Sequence, residues 1–275
     1  MAEHSRWTRE ETIIALYYYF QIPYGQLTQN NPKILYIAKL LDRTPSSVCM
    51  KMGNLARFDK TLQARGVHGL SNGSRMDDVI WHEFYNHYDS LVTSAETALN
   101  RLKEENNDSL FNTIPSVCTP ADPYAEGMTG KFTPKRNTEI FFSQAVLASY
   151  DSKCCMTGIA IPELIGVCHI KPVRDCTSEE EKITPQNGLC MNALFKDAFQ
   201  SGLISIRSDN LSIIVSPRLK KHKKLDSITK SWIVDSEGRK IITPHHCMPH
   251  KLFLEYHNDV IFKGSALVNK NWTRT

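Results

Sequence analysis

Between Phe141 and Leu203 the chain concentrates residue types that can move protons or hold ions. It carries a turn, Cys154-Cys155-Met156-Thr157-Gly158, then Cys168-His169-Ile170-Lys171-Pro172, then Pro185-Gln186-Asn187-Gly188-Leu189. An imidazole titrates near neutrality and can take a proton from an attacking water, so His169 is a candidate general base. A lone histidine is more often structural, and Asn187 before Gly188 is by itself a common turn dipeptide. Cys154, Cys155, Cys168, Cys176 and Cys190 fall in the same region and invite a zinc reading. Structural zinc draws on paired Cys-X2-4-Cys knuckles, whereas the close pair here is adjacent in sequence. Buried thiols packing a small core are the simpler reading, with Cys168 beside His169 kept as a candidate metal ligand. The segment His245-His246-Cys247-Met248-Pro249-His250 also looks metal-friendly, but Pro244 and Pro249 break it and its histidines read as surface residues.

The elements that must position these residues can be read from capping and periodicity. Thr8 and Glu11 form a capping box that opens a helix carrying Ile13, Leu16, Tyr17 and Phe20 on one face, until Pro23 and Gly25 stop it. A second helix runs from about Pro32 with Ile34, Ile37, Ala38 and Leu41 inward. Thr44 can cap a third, because Pro45 fits the first helical position without losing a needed donor. Three short helices with a tight polar turn before the last give the layout of a helix-turn-helix, or equally of a plain helical bundle. On the third helix Val48, Met52 and Leu55 face inward. That leaves Ser46, Ser47, Lys51, Asn54 and Arg57 outward, where with Arg43 they can reach phosphates or base edges.

Residues 103–135 lose the hydrophobic pattern and read as a linker rich in Asn, Pro, Thr and Gly. They separate a helical domain, 1–102, from a second domain, 136–275. The second opens with a helix over RNTEIFFSQAVLASY. Beyond Ile204 it turns β-prone in ISI, LSIIVS, SWIVD and KIITP, then ends in a helix over KLFLEYHNDVIF. Lys135, Arg136 and the run Arg218, Lys220, Lys221, Lys223 and Lys224 are further phosphate-binding candidates.

Composition bounds the classes. With 275 residues, 41% hydrophobic and 23% charged, the chain can hold two domains with separate cores. The net charge of +4 permits nucleic-acid binding without demanding it. No apolar run approaches the ~20 residues of a membrane helix. MAEHSRWTREE lacks the apolar centre of a signal peptide. A soluble, cytoplasmic, nucleoid-associated protein with reduced thiols is expected.

The stretch FFSQAVLASYDSKCCMTGIAIPELIGVCHIKPVRDC followed by ITPQNGLCMNALFKDAFQSGLISI resembles the HNH endonucleases. More closely, it is similar to the group in which such a domain forms the C-terminal half of a restriction-type protein. RWTREE, IPYGQL, NPKILYIAKLLDRTPSSVCMKMGNLARFD and IWHEFYNHYDSL look like the N-terminal domain of that group. The resemblance implies an α+β fold: a helix-turn-helix-like DNA-binding domain, then a ββα-metal domain with extra strands. It implies cleavage of double-stranded DNA in restriction or another anti-phage system, with His169 as general base and Asn187 bracing its loop. One divalent ion, Mg, Mn, Ni or Zn, would assist, and cutting both strands implies a homodimer.

The chain departs from the family on the last helix. Phe195 stands for the usual histidine, Lys196 for the first aspartate and Gln200 for the second, while Val173 replaces a tryptophan and Cys168 a small residue. Asp197 is then the remaining carboxylate that could reach an ion. Three consequences are open: an inactive DNA-binding protein on a degenerate metal site, a site rebuilt around Asp197, or Lys196 stabilising phosphate charge without an ion. A zinc-stabilised interaction module is a further, separate reading.

Overall fold

The computed structural model describes residues 6–71, 73–105 and 134–264, excluding the side chains of residues 103, 105 and 134–136. The linker expected over 103–135 therefore lies largely outside the described residues, as do the side chains of Lys135 and Arg136.

Helix α1, Arg9–Tyr19, starts where the sequence signals it: Thr8 Oγ1 accepts from Glu11 N at 3.2 Å and the Glu11 carboxylate from Thr8 N at 2.7 Å. Helix α2, Pro32–Leu40, is capped by Asn31, and α3, Pro45–Ala56, by Thr44. Helices α4, Lys60–Ala64, α5, Arg75–Phe84, and α6, Tyr88–Glu105, follow. The second half opens with α7, Pro134–Ser149. It continues through β1, Ile165–His169, α8, Glu179–Ile183, β2, Gly188–Asn192, and α9, Ala193–Gln200. Strands β3, Ile204–Ile206, and β4, Ile213–Val215, form a second antiparallel pair. Helices α10, Pro217–Lys220, α11, Ser227–Trp232, and α12, Lys251–Tyr256, close the described chain, with a π-helical turn after α12. The fold is α+β, helical in its first half and with small antiparallel sheets in its second.

The two halves of the described chain pack on one another. Buried apolar residues run from α1 to α12 in a single cluster. Tyr17 of α1 stacks on Phe141 of α7 with centroids 5.4 Å apart, and Tyr88 of α6 meets the same ring at 6.0 Å. A buried polar joint crosses the halves as well. Asp59 Oδ2 takes bonds from His246 Nδ1 at 2.7 Å and Tyr19 OH at 3.1 Å, while Asp59 Oδ1 caps α4. His246 is thus fully buried, not a surface residue, because a carboxylate from far along the chain neutralises the cost of hiding it.

SWIVD, expected as strand, is the end of α11 and a 3-10 turn. Asp226 caps that helix by accepting from Thr229 N at 2.8 Å, which outweighs the β propensity of its residues. KIITP contributes only an isolated bridge, Ser212 to Lys240.

Candidate active site

Strands β1 and β2 pair antiparallel with His169 opposite Gly188, and α9 follows β2 directly, so the last residue of β1 stands at the mouth of a ββα unit. Close packing of α7 on this unit explains Gly188. A Cβ at that position would fall 2.2 Å from Val146 Cγ2, so only glycine admits the helix.

Helix α7 also supplies the wall behind the imidazole. The His169 ring stacks on Phe142 with centroids 3.9 Å apart and planes 9° from parallel. Its Nε2 lies 2.8 Å from the Lys182 carbonyl oxygen on α8. A carbonyl can only accept, so the proton sits on Nε2 and Nδ1 keeps its lone pair. Burial pushes the imidazole pKa below its ordinary value, against the Lys182 bond and the Glu139 carboxylate one turn before Phe142, which both pull upward. The ring is therefore neutral at pH 7, its tautomer fixed, with the basic nitrogen the one that the protein leaves unbonded among the described residues.

Asn187 is fully buried and fixes the loop on both flanks of that ring. Its Oδ1 accepts from Lys171 N at 2.8 Å, and its Nδ2 donates to Lys171 O at 3.1 Å and Glu181 O at 2.8 Å. Lys171 is two residues past His169, and Glu181 is one before Lys182, the imidazole's acceptor. The Ile170 N–H adds a bond to Asn187 O at 2.8 Å. Lys171 itself is buried against Glu181 at 2.7 Å and lies over the Tyr256 ring. Glu180 ties the same helix to the first half, its carboxylate accepting from Asp89 N at 3.2 Å at the start of α6. Burial, with Asp89 alongside, raises the Glu180 pKa to about 8.

The face of β1 opposite His169 meets α9. Asn192 caps this helix by accepting from Phe195 N at 3.0 Å, and Phe195, Ala198 and Phe199 turn into the core. Lys196 is half-buried, while Asp197 and Gln200 are exposed. A Cβ at Gly166 would sit 3.9 Å from Lys196 Nζ, which places the ammonium over β1. Cys168 is buried, and burial pushes its thiol up to about 12 even though Lys196 pulls it the other way. It is a protonated thiol donating toward Met191 Sδ at 3.9 Å.

Neither Cys168 nor Asp197 joins a group of metal-ligating side chains. Among the described residues no cluster of three or more His, Cys, Asp or Glu could hold an ion. The Lys196 ammonium cannot ligate a divalent cation, and the exposed Asp197 carboxylate joins no second donor among the described residues, so the residues present do not fit one. The described cysteines are free, as expected of packing thiols.

The DNA-contact candidates fare differently from one another. Lys51 does not face outward. It is buried, 2.6 Å from Asp77 Oδ1 and over the Trp7 ring, because Asp77 at the α5 capping box needs a counter-charge inside the bundle. Arg43 is engaged by Glu11 at 3.0 Å and by Trp7, and Arg57 by Ser71 O at 3.1 Å and the Phe58 ring. Ser46 and Ser47 stay partly exposed at the start of α3. Lys220 pairs with Glu237 at 2.7 Å, and Lys221 is exposed. Phe142, Glu139 and the Lys182 carbonyl were not legible as site groups. Two adjacent phenylalanines opening an apolar helix face were the available signal for the first.

Residues 154–207 match the model of a family described as HNH endonuclease. HNH domains generally use a divalent ion, which is the point at which this chain's side chains diverge. No curated protein matches the chain. No helix among the described residues is long and apolar enough to cross a membrane.

Proposed function

We propose, with the HNH domain formed by residues 154–207 as the premise, that this chain binds double-stranded DNA and hydrolyses its phosphodiester bonds. The observation that carries the reading is the imidazole of His169: neutral, stacked on Phe142, and held through Nε2 so that Nδ1 is left to accept a proton. A water activated there loses a proton to Nδ1 as its oxygen bonds phosphorus. The P–O3′ bond breaks, the 3′ oxygen takes a proton from solvent, and the imidazolium returns its proton to solvent. Asn187 keeps Lys171 and Glu181 in register, so the ring does not swing out of line during this exchange.

The division into domains 1–102 and 136–275 joined by 103–135 belongs to the same proposal. So does a role for α3 as a recognition helix presenting Ser46 and Ser47, and phosphate contact by Lys135, Arg136 and Lys221. The setting is restriction or another anti-phage system, by analogy with the group that the sequence resembles, and a homodimer would bring two sites to two strands. A second reading, DNA binding without cleavage, is favoured by the unsuitable donor set around Cys168 and Lys196. Incubating supercoiled plasmid with the protein and with His169→Ala, alongside gel-shift binding of both, separates the two. Nicking by the wild type alone, with both binding, supports hydrolysis; binding without nicking by either leaves the second reading.

A further inference from the structure

The side chain on α9 that overlies β1 is a cation, where an ion-binding donor would be needed to hold a metal. We infer that the Lys196 ammonium stands in for the divalent ion, bonding a nonbridging oxygen of the DNA phosphate presented to His169, so that the site works on phosphate without metal. The inference rests on the nuclease reading for its catalytic part, while its binding part is independent of it.

Four observations converge. The ammonium lies at the strand: Nζ is over β1 on the face that carries Gly166 and Cys168, 3.9 Å from where a Gly166 Cβ would be, and β1 ends at His169. The charge is uncommitted. Lys196 is half-buried and makes no hydrogen bond or ion pair among the described residues, unlike Lys51 and Lys171, each of which has a carboxylate. Its field reaches the base of the site, acting on the Cys168 thiol next to His169. Finally, the acidic side chains that would surround a divalent ion are missing: Asp197 turns to solvent and no ligand cluster exists among the described residues. A partly desolvated cation without a counter-charge favours an external anion, and a phosphate oxygen is the anion that an HNH domain meets.

Chemically the ammonium can do part of an ion's work. It can neutralise charge that grows on the nonbridging oxygens while the water oxygen bonds phosphorus and P–O3′ breaks. It requires no oxidant or further reactant, since the proton balance is that already assigned to His169 and solvent.

The test measures plasmid nicking and salt-dependent binding of a duplex oligonucleotide in EDTA and, separately, with Mg²⁺ or Mn²⁺. Wild type, Lys196→Met, Lys196→Gln, Lys196→Arg and His169→Ala are compared, with circular dichroism to confirm folding. The expected result is nicking that persists in EDTA, falls ~100-fold in both neutral variants, and is partly kept by Lys196→Arg. The binding slope against log salt should drop by about 1 in the neutral variants. Nicking that appears only with metal and is indifferent to Lys196→Met overturns the inference and leaves the His169 reading standing. No nicking under any condition, with the slope still reduced, sinks hydrolysis but supports the lysine's phosphate contact. No nicking with an unchanged slope overturns both.

Discussion

Replacing Asn187 by alanine tests the brace behind His169 most informatively, because its buried side chain makes three bonds to backbone groups, besides a contact with Cys176 Sγ at 3.7 Å. The variant leaves Lys171 N, Lys171 O and Glu181 O without that partner, at distances of 2.8, 3.1 and 2.8 Å in the native loop. Each net hydrogen bond is worth ~1 kcal/mol, more when a buried group is orphaned, so a loss of about 3 kcal/mol is expected. A domain of ordinary stability, about 5–15 kcal/mol, survives that and stays measurable. Urea denaturation of both proteins gives the difference directly. The imidazole reports the local effect, since a loosened Lys182 carbonyl should release Nε2–H and shift the nitrogen resonances of His169 toward a tautomer mixture. Asn187→Asp sharpens the test by keeping the acceptor for Lys171 N but turning a carboxylate oxygen against two carbonyls. Its instability at pH 7 should ease in acid, when the new carboxyl can donate. A stability loss below about 1 kcal/mol for the alanine variant, with the His169 resonances unmoved, would refute the bracing argument.

Other consequences follow from the same packing. Glu180 has a folded pKa of about 8, above the ordinary 4.5, so its protonated form is the one the fold prefers. Stability from this group is complete below pH 4.5 and is lost as pH rises through 8; Glu180→Gln should flatten that part of a thermal-melt pH profile, and an unchanged slope would contradict the assignment. Gly188→Ala forces a Cβ to within 2.2 Å of Val146 Cγ2 and should cost ~1–3 kcal/mol. Most of this should return with Val146→Ala in a double-mutant cycle; additive losses would contradict the proposed contact. Lys51→Met strands Asp77 in the core and should cost ~3–5 kcal/mol in a denaturant titration, with the salt dependence of DNA binding unchanged. A reduced salt slope with little stability loss would return Lys51 to the DNA surface.

What the sequence made legible was local. Thr8 with Glu11 and Thr44 with Pro45 carry their capping bonds within a few residues, so the starts of α1 and α3 could be read directly. The order of His169, Asn187 and α9 likewise follows from short segments. Groups whose role depends on distant partners were hidden. Lys51 looked like a surface cation until Asp77 was placed beside it, and His246 looked exposed until Asp59 was. In α9, the sequence showed Lys196 where a ligand is usual but not the opening at Gly166 that lets an ammonium lie over β1. The acceptor for His169 is a backbone carbonyl on the short acidic helix α8, and no side-chain pattern encodes it. SWIVD failed for the opposite reason: apolar, branched residues suggested a strand, while the Asp226 cap nucleated a helix that leaves Ile228 and Trp232 exposed.

The pH dependence of DNA nicking at saturating protein tests the role of His169 most directly. Burial holds its imidazole below the ordinary value of 6.5, so the rate should climb with pH, reach half its plateau below 6.5, and stay flat through neutrality, while His169→Ala shows no such titration. A rate that keeps rising past pH 8, or a His169→Ala enzyme with the wild-type profile, would contradict it.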